Sequence, residues 1–367
     1  MKTTFLRKQL QGRRTLVACD IHGHTGLFKK LLSDAGFSES DLLIIIGDIV
    51  EKGPDSLGTL RYVKELTGRG STIPLMGNVD ACRVQMIDEL SESTAADFLA
   101  CLKQIRSWTG CMWDEMTDEL GLPRSETEAD LLSARDKVID HFKPELDFLS
   151  SLPTALETGN FVFVHGGLRD TDIKANETRQ SAELLKYDNF YALAPEFDKY
   201  IVVGHYPVTL YSDKISDCTP RVDRRRKIIA LDGGCGIKNY GQLNLMITDG
   251  TPENISFLSA DDLPKVKALD SQTGSDDHIN IRWIDRGIET LEKFDGYRKI
   301  RHRSTGHVCL IPDAYVRDDE HAADYSDYLL PVTAGETLAL VDETPLGYIV
   351  KKNGVTGLYK GSIANET

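Results

Sequence analysis

Seven short apolar runs constrain this chain more than any other feature: TLVAC, LLIII, TIPLM, FVFV, YIVV, KIIAL and LNLMI. Each is rich in Val, Ile and Leu and lacks strict alternation, the pattern of strands covered on both faces. Helical pieces lie between the first three, such as LFKKLLSDAG, with a glycine where a helix ends. The first half therefore reads as βαβ units and the second half as more strand-rich. The residues just after these runs narrow the chemistry. Asp20-Ile21-His22 comes after the first, Gly47-Asp48 after the second and Gly77-Asn78 after the third. His165-Gly166-Gly167 comes after FVFV, and Gly204-His205 after YIVV. Five strand ends thus deliver a metal-capable side chain beside a turn residue. In open α/β sheets, sites gather at the carboxyl ends of the strands.

Bulk properties limit the partners. A length of 367 residues suggests about two domains and suffices to bury their cores. The formal charge of −14 lacks the basic footprint of a nucleic-acid binder, so nucleic acid is not expected as a partner. An acidic chain that binds phosphate must concentrate positive potential locally, as metal ions do. The seven cysteines form no C-x-x-C pair, which indicates neither a disulfide framework nor a zinc knuckle and fits a reducing compartment. No apolar run approaches the roughly 20 residues of a membrane span. The N-terminal MKTTFLRKQLQGRRT lacks the apolar centre of a signal peptide. The expectation is a cytoplasmic protein without membrane contact.

The spacing predicts a catalytic domain over 1–260 with a helical insertion at 83–150, carrying the amphipathic pieces AADFLACLKQIRSW and LLSARDKVIDHF. Trp108 and Trp113 are expected to pack that insertion onto the sheet. Residues 261–305 read as a polar linker with a short helix in IRWIDRGIETLEKF. Residues 306–367 alternate apolar and polar positions, with turn signals at Asn353-Gly354 and Gly357, and read as a small antiparallel β-barrel. That tail resembles an SH3-like module. It offers a peptide contact or, more blandly, packing with Tyr348 and Tyr359 as core aromatics.

Asp20, His22, Asp48, Asn78, His165 and His205 are two carboxylates, one amide and three imidazoles. Mixed nitrogen and oxygen ligation suits Mn, Fe or Zn better than a thiolate site would. Six ligands exceed the need of one catalytic metal with open positions. Two metals sharing a bridging carboxylate use them efficiently, and such pairs activate water for in-line displacement at phosphorus.

The series DIHGH, GDIVEKGPDS, GNVD, VHGGL, GHYPV and LDGGCGIKNYGQLNLM resembles the phosphoprotein phosphatase (PPP) family of calcineurin-like metallophosphoesterases, from about residue 14 to 258. The resemblance implies an α/β (α+β) fold: a metallophosphoesterase β-sandwich flanked by helices. It also implies that Asp20 and His22 bind one divalent metal, that Asp48 bridges, and that Asn78, His165 and His205 bind the second. Mn is the expected ion, with Fe or Zn as alternatives. Asp232 matches a position that supports the site.

The departures are as informative. Cys19 replaces a glycine and is expected to pack. Lys52 replaces an arginine, and a point charge cannot clamp phosphate bidentately. Val79 stands where the family's histidine pairs with the acid at Glu51 and helps protonate the leaving group. General acid catalysis is worth about 10²–10⁴-fold, so the expected loss is partial and falls hardest on alkyl phosphates. Asp48, Glu51, Lys52 and His24 are the candidate catalytic residues, with His24 a rim residue or substitute proton donor. Arg83 and Arg169 are candidate substrate-binding groups or, alternatively, surface or supporting pairs. The basic run RVDRRRK at 221–227 is expected as a solvated turn, with guidance of acidic phosphopeptides as its functional alternative. His141, His278, His302, His307 and His321 receive no role.

The leading expectation is a phosphomonoesterase of serine/threonine protein phosphatase type, in which a hydroxide bridging both metals attacks phosphorus and the substrate is a phosphorylated protein or small phosphoester. A phosphodiesterase or dinucleoside polyphosphate hydrolase is the alternative within the superfamily, since Gly-Asn-x-Asp without histidine also resembles the small bacterial phosphodiesterase-like branch. A low-activity metal-bearing scaffold is the third reading.

Overall fold

The computed structural model describes residues 2–10, 12–106 and 109–366. Trp108 lies outside the described residues. The chain divides into two compact units, one holding the residues up to Tyr206 together with Pro220–Asp261, the other holding Pro207–Thr219 and the residues from Asp262 onward.

The first unit is built on two sheets. In the first sheet the strands Ile255–Ala260, Leu243–Thr248, Thr15–Ala18, Leu42–Ile46 and Thr72–Leu75 lie in that order. The last three are parallel, as βαβ crossovers require. The second sheet runs Phe5–Arg7, Ala155–Glu157, Phe161–Val164, Tyr200–Val203, Ile228–Ala230 and Arg221–Asp223. Alternation along the strands decides which core each residue enters. Val17, Ile44 and Ile46 join Phe161, Phe163 and Val202 in one core. Their neighbours Leu16, Ala18, Leu43 and Ile45 join the helices' Phe28, Leu31 and Leu60 in another. The unbroken apolar runs are thus strands buried on both faces, as expected, and the fold is a mixed α/β sandwich with flanking helices.

Helices Thr25–Asp34 and Ser56–Gly68 connect the first parallel strands. The first ends as its sequence predicts: Gly36 adopts φ +60° and Phe37 N–H donates back to Leu32 O at 2.9 Å. The helical stretch after the third strand opens at Asn78, with helices Asn78–Asp88, Ala95–Arg106, Met112–Glu119, Glu128–His141 and Lys143–Ser150. Trp113 is buried in it, donates to Ser125 Oγ at 3.0 Å and meets Phe98 edge-on at 5.1 Å between ring centres. Among the described residues, no helix is long and apolar enough to cross a membrane.

The second unit is antiparallel. One sheet orders Ile363–Asn365, Lys265–Ala268, Thr337–Thr344, Gly347–Lys352, Val355–Tyr359 and Ser216–Asp217. A three-stranded sheet contains Ile288–Lys293, Tyr297–His302 and Val308–Pro312. The C-terminal antiparallel strands are therefore present, but the expected linker and short helix at 261–305 are not. Lys265–Ala268, Asn280–Ile281, Ile288–Lys293 and Tyr297–His302 are strands there instead. The apolar spacing of IRWIDRGIETLEKF suggested a helix, yet Gly287 interrupts it and Ile288 buries on a strand paired with His302. Tyr359 is a core aromatic whose hydroxyl donates to Asp270 O at 2.7 Å, and Tyr348 packs half-buried against the same core.

Candidate metal centre

The turns after the parallel strands bring the predicted side chains together. Asp20 N–H donates to Gly47 O and His22 N–H to Asp48 O, each at 3.0 Å. Gly204 N–H donates to His165 O at 3.0 Å, which ties two turns of the second sheet. The packing demands glycine: a Cβ on Gly77 would sit 2.0 Å from Asp48 N, and one on Gly204 2.2 Å from Asp20 Oδ2. Backbone strain collects here as well. Asp20, His22, Asp48 and His205 take φ of 52°, 47°, 51° and 66°, and Glu51 and Lys52 take 68° and 65°. Left-handed conformations of this kind cost about 1–3 kcal/mol each and persist where the surroundings over-determine them, typically at functional sites.

Donor atoms of Asp20, Asp48 and His165 all lie within 4.8 Å of one another, and all three residues are buried. His22 Nε2 stands 3.6 Å from Asp48 Oδ2 and 4.0 Å from Asp20 Oδ1. Asn78 Oδ1 lies 2.9 Å from His165 Nε2 and 2.8 Å from His205 Nδ1. All six predicted positions thus converge. The other ring nitrogens have partners of their own: His22 Nδ1 faces Val50 O at 3.2 Å, and His165 Nδ1 faces Ile46 O at 2.8 Å. A backbone carbonyl at Nδ1 keeps the proton there and leaves the Nε2 lone pair toward the carboxylates, the tautomer a metal requires.

Electrostatics show what a cation would displace: without one, the acids draw a proton onto His165. Burial and the neighbouring Asp232 push Asp20 well above the usual carboxylate range. Burial likewise raises Asp80 to about 7 and Asp232 to about 6. Burial opposes ionisation of Asp48, but His165 outweighs it and holds the group low. His165 is raised to about 10, because Asp48 and Asp20 overcome its burial. Burial lowers His22 to about 3 and His205 to about 4. Crowded buried acids with imidazole nitrogens facing them make a donor set that fits divalent cations, whose charge relieves the crowding.

Other predicted residues fall into different surroundings. Val79 has no side-chain proton to give, yet its N–H donates to Asp48 Oδ1 at 2.9 Å. Lys52 Nζ stands 3.4 Å from His22 Nε2. His24 is half-buried, with Nδ1 2.8 Å from His22 O. Glu51 is buried and ion-paired to Arg83 at 2.5 Å. Arg83 itself is 2% exposed, and its guanidinium lies 5.2 Å from the Phe98 ring centre. So enclosed, Arg83 is not presented to a substrate, because a desolvated guanidinium must keep its counter-ion. Arg169 is exposed, lies 3.7 Å over the Tyr187 ring and donates to Glu183 O and Lys186 O, which leaves it bracing that loop. In the basic run, Arg226 donates to Asp223 and to Ala192 O and Ala194 O. Asp232 is buried and accepts from Gly234 N–H at 2.7 Å. Cys19 packs between the sheets, where burial raises its thiol.

Two contributors escape a reading of motifs. Asp188 Oδ1 lies 2.8 Å from His205 Nε2 and orients that ring. No spacing signal marks it, because it comes from a loop. Buried Asp80 accepts from Ile49, Val50 and Gly77 N–H groups and so clamps the second and third turns together. Its place as the acid two residues after Asn78 was the available signal.

A model of the family "Calcineurin-like phosphoesterase" matches residues 13–230, more than half of the chain. A symmetrical bis(5'-nucleosyl)-tetraphosphatase of Nitrosospira multiformis is 31% identical over 150 residues, 41% of this chain and 42% of the relative. Serine/threonine-protein phosphatase 1 of Salmonella typhimurium is 41% identical over 54 residues, 14% of this chain and 25% of that protein. These matches span less than half the length of either relative. Among solved structures, a protein serine/threonine phosphatase from Saccharomyces cerevisiae aligns at a TM-score of 0.43 and 13% identity, covering 71% of this chain and 85% of that one. The family match covers every one of the six converging side chains, and this chain belongs to the calcineurin-like phosphoesterase family.

Proposed function

We propose that the chain is a divalent-metal-dependent phosphoester hydrolase that prefers substrates whose leaving group needs no proton, with dinucleoside polyphosphates as the favoured class. One observation carries the preference. Val79 supplies no acid, and the Glu51 that would have partnered one is buried against Arg83. A nucleotide phosphate leaves from a phosphoanhydride already stable as an anion, whereas the alkoxide of phosphoserine needs protonation. The similarity to tetraphosphatases points the same way.

Asp20, His22, Asp48, Asn78, His165 and His205 would hold the ions, which supply charge neutralisation and a nucleophile at neutral pH when bound. The chain's own part is to hold those donors still. Val79 N–H orients Asp48, Asp188 orients His205, and carbonyls of Val50 and Ile46 set the imidazole tautomers. Lys52, beside His22, would neutralise a phosphoryl oxygen. A phosphomonoesterase reading applies to aryl phosphates by the same argument, since their leaving groups are also weak bases. Loaded with Mn, the protein is expected to hydrolyse a bis(5'-nucleosyl) tetraphosphate faster than a phosphoserine peptide. The reverse order, or hydrolysis of neither by folded protein, overturns the proposal.

A further inference from the structure

The second unit carries a cluster that the hydrolase reading does not use. His307 immediately precedes the Val308–Pro312 strand, Cys309 lies within it, and Asp327 comes directly after the Tyr325–Ser326 strand. One donor atom from each lies within 4.8 Å of the others. His307 Nε2 stands 2.8 Å from Asp327 Oδ2. The opposite nitrogen, Nδ1, stands 3.3 Å from Asp277 Oδ1. Asp327 is braced from behind, since its Oδ1 accepts from Ile279 N–H at 2.7 Å. Cys309 is buried beside Tyr325 in one apolar core. The Tyr325 hydroxyl there is buried without a hydrogen-bond partner, close enough to Cys309 and Asp327 to feel their charges. A buried phenol of this kind ordinarily finds a partner.

We propose that His307, Cys309 and Asp327 form a second metal site, for a borderline divalent ion such as zinc. The donor chemistry is distinct from that of the first unit, because a thiolate, an imidazole and a carboxylate together select zinc or cobalt over magnesium or calcium. Asp277, with Oδ1 3.3 Å from His307 Nδ1, stands where a carboxylate can hold the Nδ1 proton once an ion takes the place of the Nε2–Asp327 hydrogen bond. Binding converts the Cys309 thiol to a thiolate and releases its proton to solvent. The ion joins residues from separate segments of the unit, so its role is structural. The inference stands apart from the hydrolase reading, because no residue is shared.

Cobalt is the direct probe, since thiolate coordination gives a near-ultraviolet charge-transfer band that nitrogen and oxygen ligands do not. The full-length chain, stripped with chelator and titrated with Co(II), is expected to show that band. Cys309→Ser is expected to lose it, and Asp20→Asn to keep it. Zinc is expected to protect Cys309 of the unaltered protein from alkylation, read by peptide mass mapping, which requires no variant to fold. Asp277→Asn, at an exposed carboxylate, is expected to weaken zinc binding about 10–100-fold. Absence of the band, its survival in Cys309→Ser, or alkylation of Cys309 unaffected by zinc overturns the proposal.

Discussion

Val79 takes away a side-chain proton donor and keeps an amide. Its N–H still holds Asp48, a contact any residue except proline makes, so substitution at this position spares the metal donors. The structure adds a reason why the loss is not simply reversed. A histidine at 79 would need Glu51, and Glu51 is already paired with Arg83. Val79→His is therefore expected to raise kcat/KM on a phosphoserine peptide by less than about tenfold, below the usual range of about 10²–10⁴ for a general acid. A larger gain would mean that Glu51 leaves Arg83. The pair itself is buried, so removing one member strands a charge. Arg83→Met is expected to cost about 3–5 kcal/mol in urea unfolding, and adding Glu51→Leu to recover most of it.

At the scale of elements, strand-end turns carry the site and helices brace it. Gly77 opens the Asn78–Asp88 helix with no room for a Cβ against Asp48. Gly77→Ala is expected to lower bound metal and phosphoester turnover together, measured by metal analysis and assay on the same sample. The helical stretch has its own fastening. Arg106, at the end of the Ala95–Arg106 helix, grips Asp114 with two nitrogens at 2.5 and 2.8 Å. Burial of Asp114 opposes its ionisation, but the Arg106 hydrogen bonds outweigh it and lower its pKa. A depressed folded pKa stabilises above the unfolded value of about 3.9, and that stability is lost as pH falls through the folded value. Asp114→Asn is thus expected to lower stability at neutral pH by about 1.5–3 kcal/mol and to flatten its fall below about pH 4, read from urea midpoints. Elements were unevenly legible. The parallel strands announced themselves through unbroken apolar runs. Ile288–Lys293 did not, because a strand with one buried face and an interrupting Gly287 imitates helical spacing over so short a span.

For the whole molecule, the first unit gathers crowded buried acids around one point, and the stability of that unit depends on what neutralises them. Chelation with EDTA is expected to lower its thermal midpoint by about 5–10 °C relative to protein at about a hundredfold excess of Mn over Kd. Calorimetry with and without metal measures this. An unchanged midpoint would mean that the acids are relieved by protonation alone. The division into two units also corrects the expected boundary. Residues 207–219 leave the first unit, contribute a strand to the second, and the chain then returns for Pro220–Asp261.

The sequence by itself determined which side chains converge as candidate metal donors. Asp20, His22, Asp48, Asn78, His165 and His205 each sit just past an apolar run, and strand periodicity with turn residues is local information. It also required that the two-faced apolar strands be covered on both sides, while the sandwich itself was implied by the family resemblance. Only the tertiary structure decided what those donors lean on. Asp188 reaches His205, Arg83 captures Glu51, and Asp327 meets His307. Each of those partners is remote or unmarked in sequence, and a charged side chain acquires its meaning from burial and from whichever counter-group the fold brings within reach.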